Sequence, residues 1–311
     1  MISRLTVSAP GKLFLGGEYA VLHGGEAVVT AVSVRAVATL SERAQGRASP
    51  IVIAVRDLAA RELDRGDSGL PAFVVDTTMF SRLGRKLGLG SSAAVTAAAT
   101  GLLFEWVGLS IERERDRLLD LSLVAHRRGQ GGRGSGADVA VSVLGGTIVF
   151  VPGRPAEPIL LRGVEAVAVW TGAPASTVDL LDRVDALAAR DRLLHQSCMD
   201  ELVASSRGLA EAFRAGDGAA IVCATETYGE GMQRLGVAAG APIMTPEHEA
   251  VRRMARDAGG AAKPSGAGGG DAAVAVFEDA EGARRFGEAC RGAGFEILGL
   301  GMHAPGLRRD D

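Results

Sequence analysis

A chain of 311 residues, 47% of them hydrophobic, is long enough to bury a full core and to form two domains. Its formal net charge is −3 and its arginines are interleaved with acidic residues, so we expect no nucleic-acid partner. The N-terminus lacks a positive segment followed by an apolar one, and no apolar run approaches the ~20 residues that span a bilayer. We therefore expect a cytoplasmic protein with no membrane partner.

The cysteines and histidines form no metal or redox motif. Cys198, Cys223 and Cys290 are odd in number and include no CxxC pair, so we expect small buried thiols rather than disulfides or zinc ligands. The five histidines show no HxxxH or HExxH spacing. Each is therefore expected to be a structural or surface residue rather than a metal ligand.

The first residues are predicted to be rich in strands. Alternation at Leu5–Ser8, an extended continuation at Lys12–Leu15 and a β-branched run at Ala27–Leu40 predict an early antiparallel sheet. Ile51–Val55 predicts a further strand. The polar segment Arg56–Gly69, with alternating charges and little periodicity, is a candidate mobile lid.

Helices are predicted to follow. The small residues after Ser91 indicate a closely packed helix, and apolar residues at helical spacing predict a second helix over Ile111–Arg128. A short helix is expected at Asp138, and Gly146–Val151 is expected to form a strand.

Three prolines between Pro152 and Pro158 mark the predicted linker between two domains, residues 1–158 and 159–311. The second part should be an α+β domain whose helices cover one face of a small sheet. Its predicted elements are a strand at Val164–Trp170, helices from Thr177 to about Gly236, a helix after Pro246, a strand at Ala272–Phe277, a helix ending at Gly292 and a strand at Phe295–Leu300.

Lysine is rare in this chain. Among 34 Lys and Arg residues only Lys12, Lys86 and Lys263 are lysine, and each lies in a glycine-rich segment. Since arginine is used elsewhere, these positions favour a compact, freely rotating ammonium, as phosphate chemistry requires. The alternative is chance, helped by 43 glycines.

The segment Lys86–Ser92 is typical of a phosphate loop. Gly88 and Gly90 let the backbone approach a ligand, and Ser91 and Ser92 begin a helix whose free N–H groups attract an anion. The P-loop spacing is absent. A formal GxGxxG at residues 129–134 follows a helix rather than a strand, so it carries no dinucleotide meaning. On its own, the loop is equally compatible with an ordinary capped helix start.

The segment Lys263–Asp271 has four glycines in nine residues, which is costly in conformational entropy unless its backbone wraps a ligand. Its N–H groups could form a nest for a phosphate or carboxylate, with Ser265 adding a hydroxyl. The alternative is a flexible connector. For Asp138, at the start of a predicted helix, the residues alone favour a cap.

Together these residues resemble the GHMP kinases, named after galactokinase, homoserine kinase, mevalonate kinase and phosphomevalonate kinase. Three family motifs stand in order: APGKLFLGGEYAVL at residues 9–22, GLGSSAA at 88–94 and SGAGGG at 265–270. The resemblance implies an α+β fold of two domains. The N-terminal domain would be of the ribosomal S5 second-domain type and the C-terminal domain ferredoxin-like, with ATP and substrate between them.

The resemblance also implies roles for individual residues. Lys12 and Asp138 would be a charged catalytic pair beside the transferred group, and Ser92 would also bind Mg²⁺. The ATP phosphates would contact Lys86, Gly88, Leu89, Gly90, Ser91, Ser92 and Ala93. The acceptor would contact Glu18, Tyr19, Arg133, Ser135, Gly136, Lys263, Ser265, Gly266, Ala267 and Gly268.

Within the family, four details resemble the members that phosphorylate phosphomevalonate: Gly17–Tyr19, Lys86, the segment Trp170–Thr177 and Asp271. Mevalonate kinases also place a second acidic metal ligand shortly before the residue that matches Asp138. Here that stretch, residues 126–133, reads HRRGQGGR. Its arginines at 127, 128 and 133 would suit an acceptor that already carries a phosphate.

The expected reaction is therefore ATP- and Mg²⁺-dependent phosphorylation of (R)-5-phosphomevalonate to 5-diphosphomevalonate, by a monomer or homodimer. The alternatives within the family are a mevalonate kinase or a diphosphomevalonate decarboxylase. An alternative of another class is a non-catalytic binding protein with the same fold.

Overall fold

A computed structural model describes residues 5–42, 48–65, 69–82, 84–172 and 176–310. Residues 1–4 of the N-terminus, 66–68 of the predicted lid and 173–175 of the Trp170–Thr177 motif lie outside this part of the chain. The elements of the first half are β1 (Thr6–Gly16), β2 (Ala27–Leu40), α1 (Pro50–Glu62), β3 (Phe73–Asp76), β4 (Ser81–Arg82), β5 (Arg85–Lys86), α2 (Ser91–Trp106), α3 (Arg115–Gly129), α4 (Ala137–Leu144), β6 (Thr147–Phe150) and β7 (Glu157–Ile159).

The second half begins with β8 and is dominated by helices. Its elements are β8 (Glu165–Trp170), α5 (Thr177–Arg190), α6 (Arg192–Ala215), α7 (Gly218–Ala239), α8 (Pro246–Asp257), β9 (Ala261–Pro264), β10 (Ala272–Phe277), α9 (Ala280–Gly292), β11 (Glu296–Leu298) and β12 (Arg308–Asp310). The elements predicted from β8 to β11 occur in the predicted order, with the additional strand β9 between α8 and β10. The short strands β9 and β12 were not predicted, since neither has an apolar alternation of useful length.

The first sheet has the order β12-β1-β2-β6-β7, with β3 also paired to β2. Its strands are antiparallel, as predicted. Helix α2 packs against β1 and β2 and is buried along most of its length, because alanine, threonine and glycine let the backbones approach closely. A Cβ at Gly101 would lie 3.1 Å from a methyl carbon of Val7. The start of α2 is thereby fixed relative to β1.

The predicted strand at Ile51–Val55 is wrong, because these residues form the first turns of α1. Pro50 occupies the first turn of the helix, and Ser49 caps it by accepting a hydrogen bond from the Val52 N–H at 3.3 Å. The predicted lid is also wrong over residues 56–62, which continue α1. Val55 and Ala59 are buried, since four-residue spacing places them on one face of the helix.

The second sheet, of order β11-β8-β10-β9, is covered on both faces, which corrects the prediction of one covered face. Every residue of β10 is buried. Val274 and Val276 pack into a cluster with α6 and α7, while Ala273, Ala275 and Phe277 pack into a cluster with α8 and α9. The uninterrupted apolar sequence of β10 agrees with this burial, since alternation of apolar and polar residues is expected only where one face of a strand is exposed.

The end of the chain returns to the first sheet, where β12 pairs with β1. Arg35 fastens this return: its guanidinium donates hydrogen bonds to the carbonyl oxygens of Pro305 and Gly306, each at 2.7 Å. The domain division at residue 158 stays a prediction, and any such division must assign β12 to the first sheet.

Cys198 and Cys290 are buried as predicted, whereas Cys223 is exposed. Within the described residues, no helix is long and apolar enough to cross a bilayer.

Candidate active site

A cleft of about 300 Å³ lies where the three glycine-rich segments meet. It is bounded by the start of α2, the end of α3, the start of α4 and the first turns of α5. Its lining includes Lys12, Lys86, Gly88, Leu89, Gly90, Ser91, Ser92, His126, Gln130, Arg133, Gly134, Asp138, Thr177, Leu181, Ser265, Gly266, Ala267, Gly268 and Asp271. The structure therefore brings most of the predicted site residues to one place. Gln130 and Leu181 were not predicted there, because they belong to none of the three family motifs, and Thr177, which ends the segment Trp170–Thr177, was given no role in the site.

The start of α2 is suited to an anion. Gly90 precedes the helix in a left-handed conformation, with φ 76°, and no side chain caps the first turn. The N–H groups of that turn therefore have no intrahelical partner, and they point toward the cleft together with the positive end of the helix dipole. Ser91 and Ser92 line the cleft, whereas the Ala93 side chain is fully buried and only its backbone could contact a ligand.

Lys12 projects from β1 alongside this turn. Its ammonium donates a hydrogen bond to the carbonyl of Gly88 at 3.0 Å. Its backbone N–H donates a hydrogen bond to the carbonyl of Leu89 at 2.9 Å. A Cβ at Gly90 would lie 2.7 Å from Lys12 Cγ, so the side chain passes where only glycine leaves room. Burial lowers the pKa of Lys12, and the negative charge of Asp138 opposes this shift.

Lys12 and Asp138 line the same cleft but form no ion pair in the described part of the chain. The predicted charged pair is thus two separated groups, with Lys12 held by Gly88 instead. Asp138 lies in the first turn of α4, which Gly136 introduces with φ 87°. Its Oδ1 accepts a hydrogen bond from the Val139 N–H at 2.9 Å.

His126 lies between the start of α2 and the start of α4. The sequence analysis did not predict this position. Its side chain is buried at the end of α3, and its Nε2 lies 3.1 Å from Ser92 Oγ and 4.0 Å from Asp138 Oδ2. The expectation of a structural or surface histidine did not place it in the cleft, because a single histidine without motif spacing carries no signal of its neighbours.

A second recess of about 180 Å³ opens beside Lys12 and Asp138. It is lined by five of the residues that the family resemblance assigns to the acceptor, Glu18, Tyr19, Ser135, Gly266 and Ala267. The Tyr19 hydroxyl donates a hydrogen bond to the carbonyl of Ala267 at 2.6 Å, which ties the first glycine-rich segment to the third. Ser135 is partly engaged, since its Oγ accepts from the Ala137 N–H at 3.3 Å. Gly136 lines a neighbouring recess of about 210 Å³.

Lys263 does not line the cleft, which corrects its predicted substrate contact. Its side chain is fully buried in β9, where the ammonium lies 2.5 Å from Glu18 Oε1 and 2.8 Å from the carbonyl of Pro264. Burial lowers the pKa of Lys263, and the Glu18 charge opposes this shift. The same Glu18 oxygen accepts the Gly266 N–H at 3.2 Å. Lys263 therefore holds the third segment in place.

The loop after Lys263 is fixed rather than a flexible connector. Ser265 Oγ accepts a hydrogen bond from the Phe14 N–H at 2.9 Å, and the Gly269 N–H donates to the carbonyl of Ile243 at 3.0 Å. A Cβ at Gly268 would lie 2.2 Å from that carbonyl oxygen. Glycine is therefore required for the loop to reach the cleft at this position.

The three arginines before Asp138 have different neighbours. Arg133 lines the cleft and forms an exposed ion pair with Asp182 of α5 at 2.6 Å. Arg127 lines the neighbouring recess. Arg128 instead pairs with Asp57 of α1 at 3.3 Å, so the hypothesis that it reads the acceptor is not supported.

The sequence matches two family models over most of its length. Residues 51–146 match the N-terminal domain of GHMP kinases, and residues 209–295 match their C-terminal domain. This chain belongs to the GHMP kinases. It is accordingly a phosphotransferase with the two-domain, mixed helix and sheet fold of that family.

Relatives within the family include two kinds of kinase. A phosphomevalonate kinase of Streptomyces sp. strain CL190 is 30% identical, over 89% of this chain and 90% of the relative. A mevalonate kinase of Thermococcus gammatolerans is 27% identical, over 58% of this chain and 61% of the relative. The structure of Streptococcus pneumoniae phosphomevalonate kinase in complex with phosphomevalonate and AMPPNP superposes with a TM-score of 0.81 at 20% identity, covering 96% of this chain and 99% of that one.

The buried ion pair between Glu18 and Lys263 leads to a prediction about the stability of the protein. Lys263→Met should lower the free energy of unfolding by about 3–5 kcal/mol, because it leaves the Glu18 carboxylate buried without a counter-ion. Urea unfolding followed by circular dichroism measures this change.

Removing both charges, in Glu18→Gln with Lys263→Met, should restore part of the loss, since no buried charge remains. The control Arg284→Met disrupts only the exposed pairs with Glu281 and Glu288 and should leave the unfolding midpoint in place. A double variant less stable than Lys263→Met alone would contradict the assignment.

Proposed function

We propose that this GHMP kinase transfers the γ-phosphoryl group of ATP to (R)-5-phosphomevalonate and forms 5-diphosphomevalonate. The observation that supports this substrate is the charge of the residues around Asp138. Of the described residues from the last turn of α3 to Gly134 that line the cleft, His126, Gln130, Arg133 and Gly134, none is acidic and Arg133 carries a guanidinium. A cleft wall with this charge favours an acceptor that already bears a phosphate.

The relatives include both kinds of kinase at similar coverage. The Streptomyces relative, named phosphomevalonate kinase, is 30% identical over 89% of this chain, and a mevalonate kinase of Aeropyrum pernix is 27% identical over 88% of it. The proposed substrate therefore depends on the charge of the cleft. The similarity to the Streptococcus pneumoniae enzyme supports the fold on which the proposal depends.

In the proposed reaction the nucleotide phosphates occupy the start of α2. The uncapped N–H groups of its first turn bind phosphate oxygens, and Lys86, exposed at the edge of the cleft, adds a point charge. Lys12 lies between this turn and the acceptor recess, where its ammonium stabilises charge on the transferring phosphoryl group. Because Gly88 holds this ammonium, little reorganisation is needed during the reaction.

The donor set of the cleft fits a magnesium ion brought by ATP. Mg²⁺ prefers oxygen ligands, keeps several waters and is usually bound through one or two carboxylates plus substrate phosphates. Ser92 Oγ and the Asp138 carboxylate offer such oxygens. No group of three or more His, Cys, Asp and Glu side chains in the described residues could hold an ion unaided. Ser92 and Asp138 would hold the ion, and the ion would neutralise charge on the phosphates.

The direct test is coupled ADP release by the purified protein with mevalonate, phosphomevalonate and homoserine in parallel. We expect kcat/KM for phosphomevalonate to exceed that for mevalonate by about ten- to a hundredfold, because Arg133 has no charge-assisted hydrogen bond to make with an acceptor that lacks the phosphate. Faster turnover of mevalonate would overturn the proposed substrate while leaving the family intact.

A prediction on Arg133 tests recognition of the acceptor. Arg133→Ala should raise KM for phosphomevalonate about ten- to a hundredfold, the effect of losing a charge-assisted hydrogen bond, and change KM for ATP little. Initial rates with each substrate varied in turn give both constants.

Arg128→Ala is the matched control, since Arg128 lies five residues away and pairs with Asp57 outside the cleft. It should leave both constants close to those of the unmodified enzyme. Equal increases of both KM values in Arg133→Ala would argue against an acceptor-phosphate contact.

A prediction on Lys12 and Asp138 separates the two acceptors by their chemistry. A phosphate monoester has a second pKa of about 6 and is largely deprotonated at neutral pH, so it needs no general base. Lys12→Met should therefore reduce kcat more than Asp138→Asn, since the ammonium stabilises transferring charge that no other group can replace. Single-turnover rates of both variants provide the comparison.

A mevalonate hydroxyl, in contrast, must lose its proton. Removal of a positioned base typically lowers the rate about 10²- to 10⁴-fold. A loss of that size in Asp138→Asn, exceeding the loss in Lys12→Met and not relieved by a higher Mg²⁺ concentration, would therefore identify a hydroxyl acceptor.

A further inference from the structure

His126 occupies an unusual place for a residue outside the motifs. It lies in the last turn of α3, where the neighbouring Arg127 and Arg128 are exposed, yet its own side chain is only 8% exposed. A buried polar ring needs a hydrogen-bond partner, because burial without one is unfavourable. The identity of that partner indicates what the ring does.

Ser92 is the partner. The Nε2 of His126 lies 3.1 Å from Ser92 Oγ, which is hydrogen-bonding distance, whereas Asp138 Oδ2 at 4.0 Å is too far for a hydrogen bond. Ser92 is the second residue of α2, within the turn that offers its N–H groups to the cleft. His126 thus contacts one of the side chains on which the nucleotide proposal rests.

Ser92 has one remaining degree of freedom. Its backbone is fixed by α2, and its carbonyl accepts a hydrogen bond from the Thr96 hydroxyl at 2.8 Å. A serine side chain can otherwise occupy three staggered rotamers, which place Oγ in three different positions. The contact with Nε2 stabilises one of them, so Oγ is held without a ligand.

We propose that His126 is a positioning residue that orients Ser92 Oγ toward the nucleotide phosphates and their Mg²⁺. With its hydrogen on Nδ1 the ring accepts the Ser92 hydroxyl hydrogen, and with its hydrogen on Nε2 it donates to Oγ; both tautomers fix the oxygen. The inference rests on the proposed nucleotide use, not on the identity of the acceptor.

The test measures ADP binding by calorimetry, with Mg²⁺ and with EDTA, so neither acceptor nor turnover is involved. His126→Leu should weaken Mg·ADP binding about three- to tenfold, from the freed rotamers and the lost hydrogen bond, and change ADP binding in EDTA little. Equal weakening in both conditions, or none in Mg²⁺, would overturn the proposal.

Two amide variants separate positioning from packing. The side chain of glutamine reaches the place of Nε2, whereas the shorter asparagine reaches only the place of Nδ1. His126→Gln should therefore keep Mg·ADP affinity close to that of the unmodified protein, and His126→Asn should lose it like His126→Leu. This pair also serves if His126→Leu fails to fold, and equal affinities of the two amide variants would contradict the proposal.

A double-mutant cycle tests whether His126 acts through Ser92. Adding His126→Leu to Ser92→Ala should cause no further loss of Mg·ADP affinity, because the group being positioned is already absent. The matched cycle with Ser91→Ala should be additive, since Ser91 forms no hydrogen bond with His126 among the described residues. Additivity in both cycles would show that His126 does not act through Ser92. If the unmodified protein bound no ADP, the nucleotide proposal itself would be wrong.

Discussion

The buried ion pair between Glu18 and Lys263 is the constraint on which the cleft depends. Two charges taken out of water are stable only if their remaining hydrogen-bonding groups are satisfied. Here the carbonyl of Pro264 and the N–H of Gly266 supply most of those partners, although Glu18 Oε2 has none among the described residues. The Tyr228 hydroxyl also donates to the Glu18 carbonyl at 2.5 Å. Because the partners come from both halves of the chain, the pair is complete only when the two sheets are correctly docked.

Docking of the two sheets brings several groups that bind anions weakly to the same cleft. The starts of α2 and α4 both follow a left-handed glycine and both face the cleft, and His126 at the end of α3 lies between them. Each helix start alone would attract an anion only weakly in water. In a cleft walled by buried elements, the dipoles and the Lys12 ammonium act through a medium of lower dielectric, so their effects on a phosphate are larger.

The three lysines show how a correct observation supports two different roles. Lys12 and Lys86 line the cleft, and the methylene chain of Lys12 passes Gly90, where an added Cβ would lie 2.7 Å from Lys12 Cγ. Lys263 is fully buried beside a carboxylate and serves the structure instead. The rarity of lysine in the sequence identified three residues with special roles. Only the neighbours of each lysine in the structure showed whether it lines the cleft or stabilises the fold.

The sequence by itself determined the family, the long elements and most of the cleft lining, because glycine loops, caps and apolar periodicity are local properties. Ala27–Leu40 and Ala272–Phe277 were predicted with the bounds that the structure shows. The tertiary structure decided that residues 51–55 begin a helix, that the second sheet is covered on both faces and that Arg128 faces Asp57. It also decided that His126 meets Ser92. These features depend on contacts between residues distant in sequence, and a side chain's neighbours exist only after the sheets and helices have packed.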